Sequence, residues 1–390
     1  MKISRIEMFH VDAGWRVWSF VKIQTDDGIV GYGECSNPKA PRGVEGAMRD
    51  LEVLLLGRDP RPVETLYWEM YRQMRQSHGG ISSIAIAGID AALWDIKAKA
   101  LGVPVYELFG GPTRHSVRLY WSHCGTSRAR AADIIGVPPI RSMEDIRNLG
   151  QEVVNRGFTA LKTNVVIPGD PASVYMPGFG ANSGNTEQVV TRDLVRHIET
   201  LVGTFREAVG DGVDICLDLN FNFKAESCIR IAKAVEKFDL LWLEVDIYDP
   251  ETLRQIRQAV DVPVCSGENL YTTYDYLPYL SAYAMDVVMI DVPWNGFSQA
   301  KKIADLSEAF QLNIAPHNYY SHLSTLMSAH LCACVPNVRI MEIDIDDVPW
   351  KDDMITEPLE IVDGFLKIPD RPGWGADLNE SVLAEHAWRN

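Results

Sequence analysis

The chain of 390 residues is longer than an ordinary single domain and can bury a large core without disulfides or a structural metal. Hydrophobic residues make up 46% and charged residues 23%, which excludes long disordered or collagen-like tracts. The 37 Lys and Arg stand against 53 Asp and Glu, a net charge of −16, so nucleic acid and anionic lipid surfaces are poor partners.

No apolar run reaches the roughly 18–20 residues of a membrane span. Met1 to Trp15 holds no signal-peptide apolar segment and carries Glu7 and Asp12. Seven Cys without regular CxxC spacing read as core thiols in a reducing compartment, so the expected location is the cytoplasm.

In chain order, Ile3 to Phe9, Trp18 to Gln24 and Ile29 to Gly33 read as strands, with Asp26-Asp27-Gly28 a hairpin turn. Ile86, Ile89, Leu93, Ile96 and Ala100 recur at helical steps. Ser82 or Ser83 is the predicted cap, and Gly102 with Pro104 the stop. Residues 1–115 thus form an α+β lobe, completed by the turn-rich tail 359–390. Between them, 116–358, eight short apolar runs alternate with amphipathic helical segments. They run from Val117–Trp121 through Ala160–Val166, Val213–Leu219, Leu240–Val245, Val262–Cys265, Val287–Val292 and Leu312–Pro316 to Val338–Ile343. That alternation predicts an α/β fold, a modified (β/α)8 TIM-type barrel. The connections 123–142 and 167–185, rich in Gly, Pro, Ser and Asn, are expected to be long loops at the barrel mouth.

The strand ends carry the chemistry. Asp218, Glu244, Glu268, Asp291, His317 and Glu342 close six successive strands at steps of 26, 24, 23, 26 and 25 residues, one β/α unit each. A constant step sets all six around one mouth. Asp218, Glu244 and Glu268 on neighbouring strands repel each other unless a cation sits between them, and oxygen-only ligands favour a hard ion, Mg²⁺. Asp291 beside His317 orients the imidazole and prepares a general base. Lys162 approaches from the second strand.

These residues lie in motifs that resemble the mandelate racemase group of the enolase superfamily. The motifs are Gly28-Ile-Val-Gly-Tyr-Gly-Glu34, Gly88-Ile-Asp-Ala-Ala-Leu-Trp-Asp95, Gly102-Val-Pro-Val-Tyr-Glu-Leu-Phe-Gly-Gly111 and Pro372-Gly-Trp-Gly375. In the barrel they are Asp218-Leu-Asn220, Leu243-Glu244, Gly267-Glu268-Asn269 and Pro316-His317. The resemblance implies an α+β lobe capping the barrel, Mg²⁺ on Asp218, Glu244 and Glu268, and removal of the proton α to a carboxylate to give an enediolate. Members of that superfamily pair a Lys or His base with Mg²⁺, which implies His317 as the base and Lys162 as the charge stabiliser. Glu342 would hydrogen-bond the enediolate or a substrate hydroxyl, a role that calls for a protonated carboxyl.

Departures from the family narrow the reaction. Asn164 stands where racemases carry the second Lys of Lys-x-Lys, so one of two bases is lost. Lys162-Thr163-Asn164 resembles galactonate dehydratase-type members instead, yet Asn220 replaces their acidic His. The proton donor is open among His317, Tyr320, His123 and His322. Val245 replaces a common second Glu and Phe297 one of a Gly pair; neither position touches the metal in the family. The loops Asp12-Ala13-Gly14-Trp15-Arg16 and Asn37-Pro38-Lys39-Ala40-Pro41-Arg42 resemble the capping loops, with Arg16 set to clamp distal hydroxyls or a second carboxylate. Asn164, Asn220, His123 and Tyr320 complete the expected substrate contacts. The implied function is a Mg²⁺-dependent acid-sugar dehydratase yielding a 2-keto-3-deoxy acid. The alternatives are an epimerase or racemase, or a lactone cycloisomerase. A small-molecule substrate and self-association are the expected partnerships.

Overall fold

The computed structural model describes residues 1–179 and 186–389. The chain opens with an antiparallel meander, β1 (Ile3–Asp12), β2 (Val17–Thr25) and β3 (Val30–Glu34); Gly28 turns the second hairpin at φ +91°. Three helices follow, α1 (Pro41–Leu55), α2 (Val63–Gln73) and α3 (Gly80–Leu101). Pro41 pre-sets the helical φ at the first position of α1, so Arg42 lies on a helix and not in a capping loop. Ser82 and Ser83 do not cap α3. They lie inside it, because the chain turns at Gly79, φ +87°, where a side chain is disfavoured. Its predicted stop holds: Gly102 takes the left-handed position at φ +70°. β3 lies hard against α3, and a Cβ on Gly33 would stand 2.1 Å from the Gly88 carbonyl oxygen.

The barrel strands are β4 (Ser116–Ser122) and β5 (Ala160–Thr163), then, beyond the short hairpin β6 (Val166–Ile167) with β7 (Ser173–Val174), β8 (Asp214–Asp218), β9 (Trp242–Glu244), β10 (Val264–Ser266), β11 (Val287–Asp291), β12 (Asn313–His317) and β13 (Met341–Asp344). They pair in parallel, in that order, from β4 to β12; β13 pairs with β4, and a bridge between Ile314 and Val338 closes the ring. Helices α4 (Thr126–Ile135) and α5 (Met143–Asn155) follow β4, and α6 (Arg192–Val209), α7 (Ala225–Val235), α8 (Pro250–Gln258), α9 (Thr272–Ser281), α10 (Val292–Ala309) and α11 (His322–Cys334) follow the next six. No α-helix follows β13 before the tail, so the eighth unit is a strand alone. The connection 123–142 is no bare loop: its Ala-rich middle is α4, stopped by Gly136 at φ +77°. Of the connection 167–185, residues 180–185 lie outside the described residues.

α3 is buried on nearly every side because it is wedged between β3 and α10. Three polar ties reinforce that seam. Asp90 of α3 accepts from the Ser298 amide (2.9 Å) and hydroxyl. Glu34, at the end of β3, accepts from the Ser324 amide (2.9 Å) and Ser321 hydroxyl at the start of α11, where the helix dipole favours an anion. Trp294 donates from Nε1 to the Ser36 carbonyl at 2.7 Å. The tail is shared between the lobes. Its hairpin β14 (Ile361–Val362) with β15 (Phe365–Lys367) pairs antiparallel with β4, whereas Trp374 donates to the Tyr32 carbonyl (2.9 Å) and the helix α12 (Glu380–Glu385) follows. All seven cysteines are buried and unpaired. Among the described residues no helix is long and apolar enough to cross a membrane.

Candidate active site

The parallel register brings the strand ends together. Asp218 is level with Glu244, and Asp291 with His317. Asp218 and Glu244 are buried and Glu268 nearly so, at 9% exposure. Burial pushes both Asp218 and Glu244 above the ordinary carboxylate range; Lys162 opposes this and the neighbouring carboxylates add to it. Asn164 and Asn220 do not reach outward. Their amides donate to Asp218 Oδ2 at 2.9 and 2.8 Å, and Asn164 Oδ1 accepts from Thr126. Both therefore hold the carboxylate in place.

Among the described residues no three of these side chains converge into a closed coordination cage. Glu244 is turned to Lys162 (3.1 Å) and Trp242 Nε1 (3.2 Å), and Glu268 to Asn269 (3.1 Å) and His317 Nε2 (3.3 Å). The donor set still fits a hard divalent cation: buried, all oxygen, on three adjacent strands, and short of positive charge. A fourth acid sharpens this. Asp246 is 4% exposed, sits within hydrogen-bond reach of Glu268, and its buried Oδ2 has no partner. Burial, then repulsion from Glu268, Glu244 and Asp218, holds it well above the usual range.

His317 donates from Nδ1 to Asp291 at 2.7 Å. Asp291 also accepts from the Tyr320 hydroxyl (2.8 Å) and the Trp294 amide (2.8 Å), so Tyr320 braces the dyad and does not face substrate. This leaves Nε2 to the mouth. Burial disfavours the imidazolium, but Glu268, Glu342 and Asp291 outweigh it and raise His317 well above the ordinary value. Lys162 reaches Glu342 at 2.9 Å as well as Glu244; despite burial, the two acids keep it charged.

Glu342 departs from the protonated role expected of it. Against its burial, Lys162, His317 and His123 hold it below the usual carboxylate range. Its oxygens accept from the Ser122 hydroxyl and the Asn318 amide (2.7 Å), so it is an anion already satisfied by donors.

Arg16 is the clearest correction. Its guanidinium is buried against Asp344 (3.1 Å) and Asp347 (2.5 Å), 4.3 Å from the Tyr319 ring centre, with no face left for a substrate. The two acids that capture it, with Lys351 on Asp347 at 2.7 Å, bolt the first loop onto the end of β13. Arg42 stacks over Trp388 at 5.3 Å. His322 lies at the start of α11 with Nε2 on Asp352 at 2.7 Å. His123, just beyond β4, donates from Nδ1 to Asp344 at 2.8 Å, and its ring centre lies 4.6 Å from that of Tyr319, tilted at 46°.

Sequence reasoning missed Asp246, Asp344 and Trp294. The first two had a signal: each lies two residues after a strand-end acid, Glu244 or Glu342, and alternation returns side chains i and i+2 to one face. Trp294, whose ring centre is 6.4 Å from that of His317, had none.

Known proteins resemble this chain in sequence and in fold. Residues 11–110 match the model of the mandelate racemase / muconate lactonizing enzyme N-terminal domain, and 145–382 that of the enolase C-terminal domain-like family. The chain is 31% identical over 385 residues to a D-gluconate dehydratase of Thermoproteus tenax, covering 96% of this chain and 71% of that one. It is 30% identical to a D-galactarolactone cycloisomerase of Agrobacterium fabrum, covering 95% and 91%. A Burkholderia xenovorans structure bound to magnesium and fumarate, named as a candidate L-alanine-DL-glutamate epimerase, superposes with a TM-score of 0.95 at 39% identity, over 99% of this chain and 96% of that one. Matched in both lobes, and carrying its strand-end residues around one mouth, the chain belongs to the mandelate racemase / muconate lactonizing enzyme family of the enolase superfamily.

Proposed function

We propose that the protein is a carbon–oxygen lyase that dehydrates an acid sugar, an aldonate or aldarate, with Mg²⁺. The observation that carries this reading is that His317 is an aligned base while the second barrel strand, where racemases carry the opposing base, offers no free one. His317 is aligned by Asp291 at 2.7 Å, whereas Lys162 is committed to Glu244 and Glu342, and Asn164, which cannot accept a proton at neutral pH, is bonded to Asp218. Inversion at a stereocentre by two opposed bases lacks its second partner; elimination needs one. The similarity to a sugar-acid dehydratase along almost the whole chain supports the same class.

Asp218, Glu244 and Glu268 would hold Mg²⁺, which supplies positive charge to the substrate carboxylate and acidifies the neighbouring C–H. In its neutral form His317 takes the C2 proton at Nε2, with Nδ1–H anchored on Asp291. Lys162 sets its ammonium against the growing negative charge in a water-poor cavity. Loss of the C3 hydroxyl leaves an enol, which tautomerises to a 2-keto-3-deoxy acid.

The test is a panel of aldonic and aldaric acids incubated with enzyme and Mg²⁺ in D₂O. Formation of a 2-keto acid carrying deuterium at C3 is expected. Exchange or inversion at C2 with no keto acid would replace this reading by the epimerase one, which the similarity to the Burkholderia xenovorans structure favours.

A further inference from the structure

We infer that His123, held by Asp344, is the acid that protonates the departing hydroxyl, so that two imidazoles share the two proton transfers. This rests on the dehydratase reading above. Other groups of the mouth are committed or sealed: the Tyr320 hydroxyl donates to Asp291, and His322 bonds Asp352 through Nε2 while its Nδ1 is buried without a partner. His123 is not. An ionised carboxylate only accepts, so the 2.8 Å contact of Nδ1 with Asp344 places a proton on Nδ1 and reserves Nε2 for exchange. Among the described residues Nε2 has no hydrogen-bond partner, and it is not among the sealed, unpartnered buried atoms.

The ring is fixed as a catalytic imidazole must be. The Tyr319 ring leans against it, tilted at 46° with ring centres 4.6 Å apart, and Ser122 Oγ stands 3.0 Å from Nδ1. Residue 123 itself sits at φ +48°, a left-handed conformation that costs a non-glycine residue energy. Its place is also right. Asp344 is level with Ser122, so β13 presents both Glu342 and Asp344 to the end of β4. Ser122 donates to Glu342 Oε1, while Glu342 Oε2 lies 3.9 Å from His317 Nε2. Ser122 and the Glu342 carboxylate therefore link the two imidazoles, and each imidazole has its own aspartate.

In the step, the C2–H pair forms the C2=C3 bond as its proton goes to His317. The C3–O bond breaks with its electrons on oxygen, and the Nε2 proton of His123 converts the leaving hydroxide to water. His123 ends neutral, its Nδ1–H still on Asp344.

The experiment compares wild type with His123→Asn, His123→Gln and His317→Asn on the acid-sugar panel, with Mg²⁺ in D₂O, following keto acid and C2 deuteration together. Both His123 variants should lose keto-acid formation by about 10²–10⁴-fold. They should retain C2 exchange within about tenfold, because abstraction becomes reversible when elimination fails, whereas His317→Asn loses both. Added imidazole should restore part of the turnover of His123→Ala. Dehydration by the His123 variants within about threefold of wild type would overturn the inference and leave the proton with His317. So would loss of exchange and elimination together, with Mg²⁺ affinity by calorimetry unchanged. A wild type that exchanges C2 but eliminates nothing would sink the dehydratase reading and this inference with it.

Discussion

The mouth of the barrel has two unlike walls. At the ends of β8, β9 and β10, four buried acids, Asp218, Glu244, Asp246 and Glu268, outnumber the cations that touch them, and Asp246 Oδ2 has no partner. On β11 to β13 and β4, every acid is answered: Asp291 by His317, Tyr320 and the Trp294 amide, Asp344 by His123 and Arg16, Glu342 by Lys162, Ser122 and the Asn318 amide. The first wall keeps unspent charge, as a cation site requires. The second spends its charge internally, and what it gains is two fixed imidazoles.

The largest effect should come from breaking the second wall alone. Replacing His317 by Asn should lower turnover by about 10²–10⁴-fold. Calorimetric Mg²⁺ affinity should stay within a few fold of wild type. A matching loss of metal binding would show that the walls are not separable.

Arg16→Met should act next most strongly. It takes a buried partner from each of Asp344 and Asp347, leaving them only the side chains of His123 and Lys351, a loss of about 3–5 kcal/mol readable from urea unfolding. Because Asp344 also holds His123, the elimination rate should fall in the same variant; an unchanged unfolding midpoint would contradict the bolt.

An imidazole remote from any acid shows what the aspartates do. His330, buried with Nε2 on the Trp374 carbonyl, is pushed down to about 4 by burial, where His317 is raised. The unfolded chain binds this proton near pH 6.5 and the folded chain only near 4. Its contribution is therefore complete above 6.5 and falls by up to about 3 kcal/mol as the pH drops to 4. His330→Gln should flatten unfolding midpoints across pH 6.5–4; an unaltered slope would mean the ring is charged in the fold.

The smallest change probes the first wall. Asp246→Asn removes one repelling charge, so the metal-free protein should gain about 1 kcal/mol while the rise in melting temperature on adding Mg²⁺ shrinks. A larger rise would place Asp246 in opposition to the cation.

Much of this is legible in the sequence alone. The β/α period of 23 to 26 residues makes the strand-end acids a ladder, and eight strands, their order and the hairpin at Asp26–Gly28 follow from local pattern. Other features depend on competition that pattern does not express. The Ala-rich stretch of α4 is masked by flanking Gly and Pro, and Arg16 has equal chemical claim on a substrate or on Asp344 and Asp347. Glu342 looks like an acid needing a proton until Lys162, His317 and the Asn318 amide converge on it.

What the chain determined by itself is therefore periodic: which residues end strands, and hence which share a mouth, because alternation and repeat length are properties of covalent order. What only the tertiary structure decided is allegiance. Whether a carboxylate faces a cation, an imidazole or another acid depends on distances across strands remote in sequence, and in a buried site those few ångströms set which side chains are charged and which are left to react.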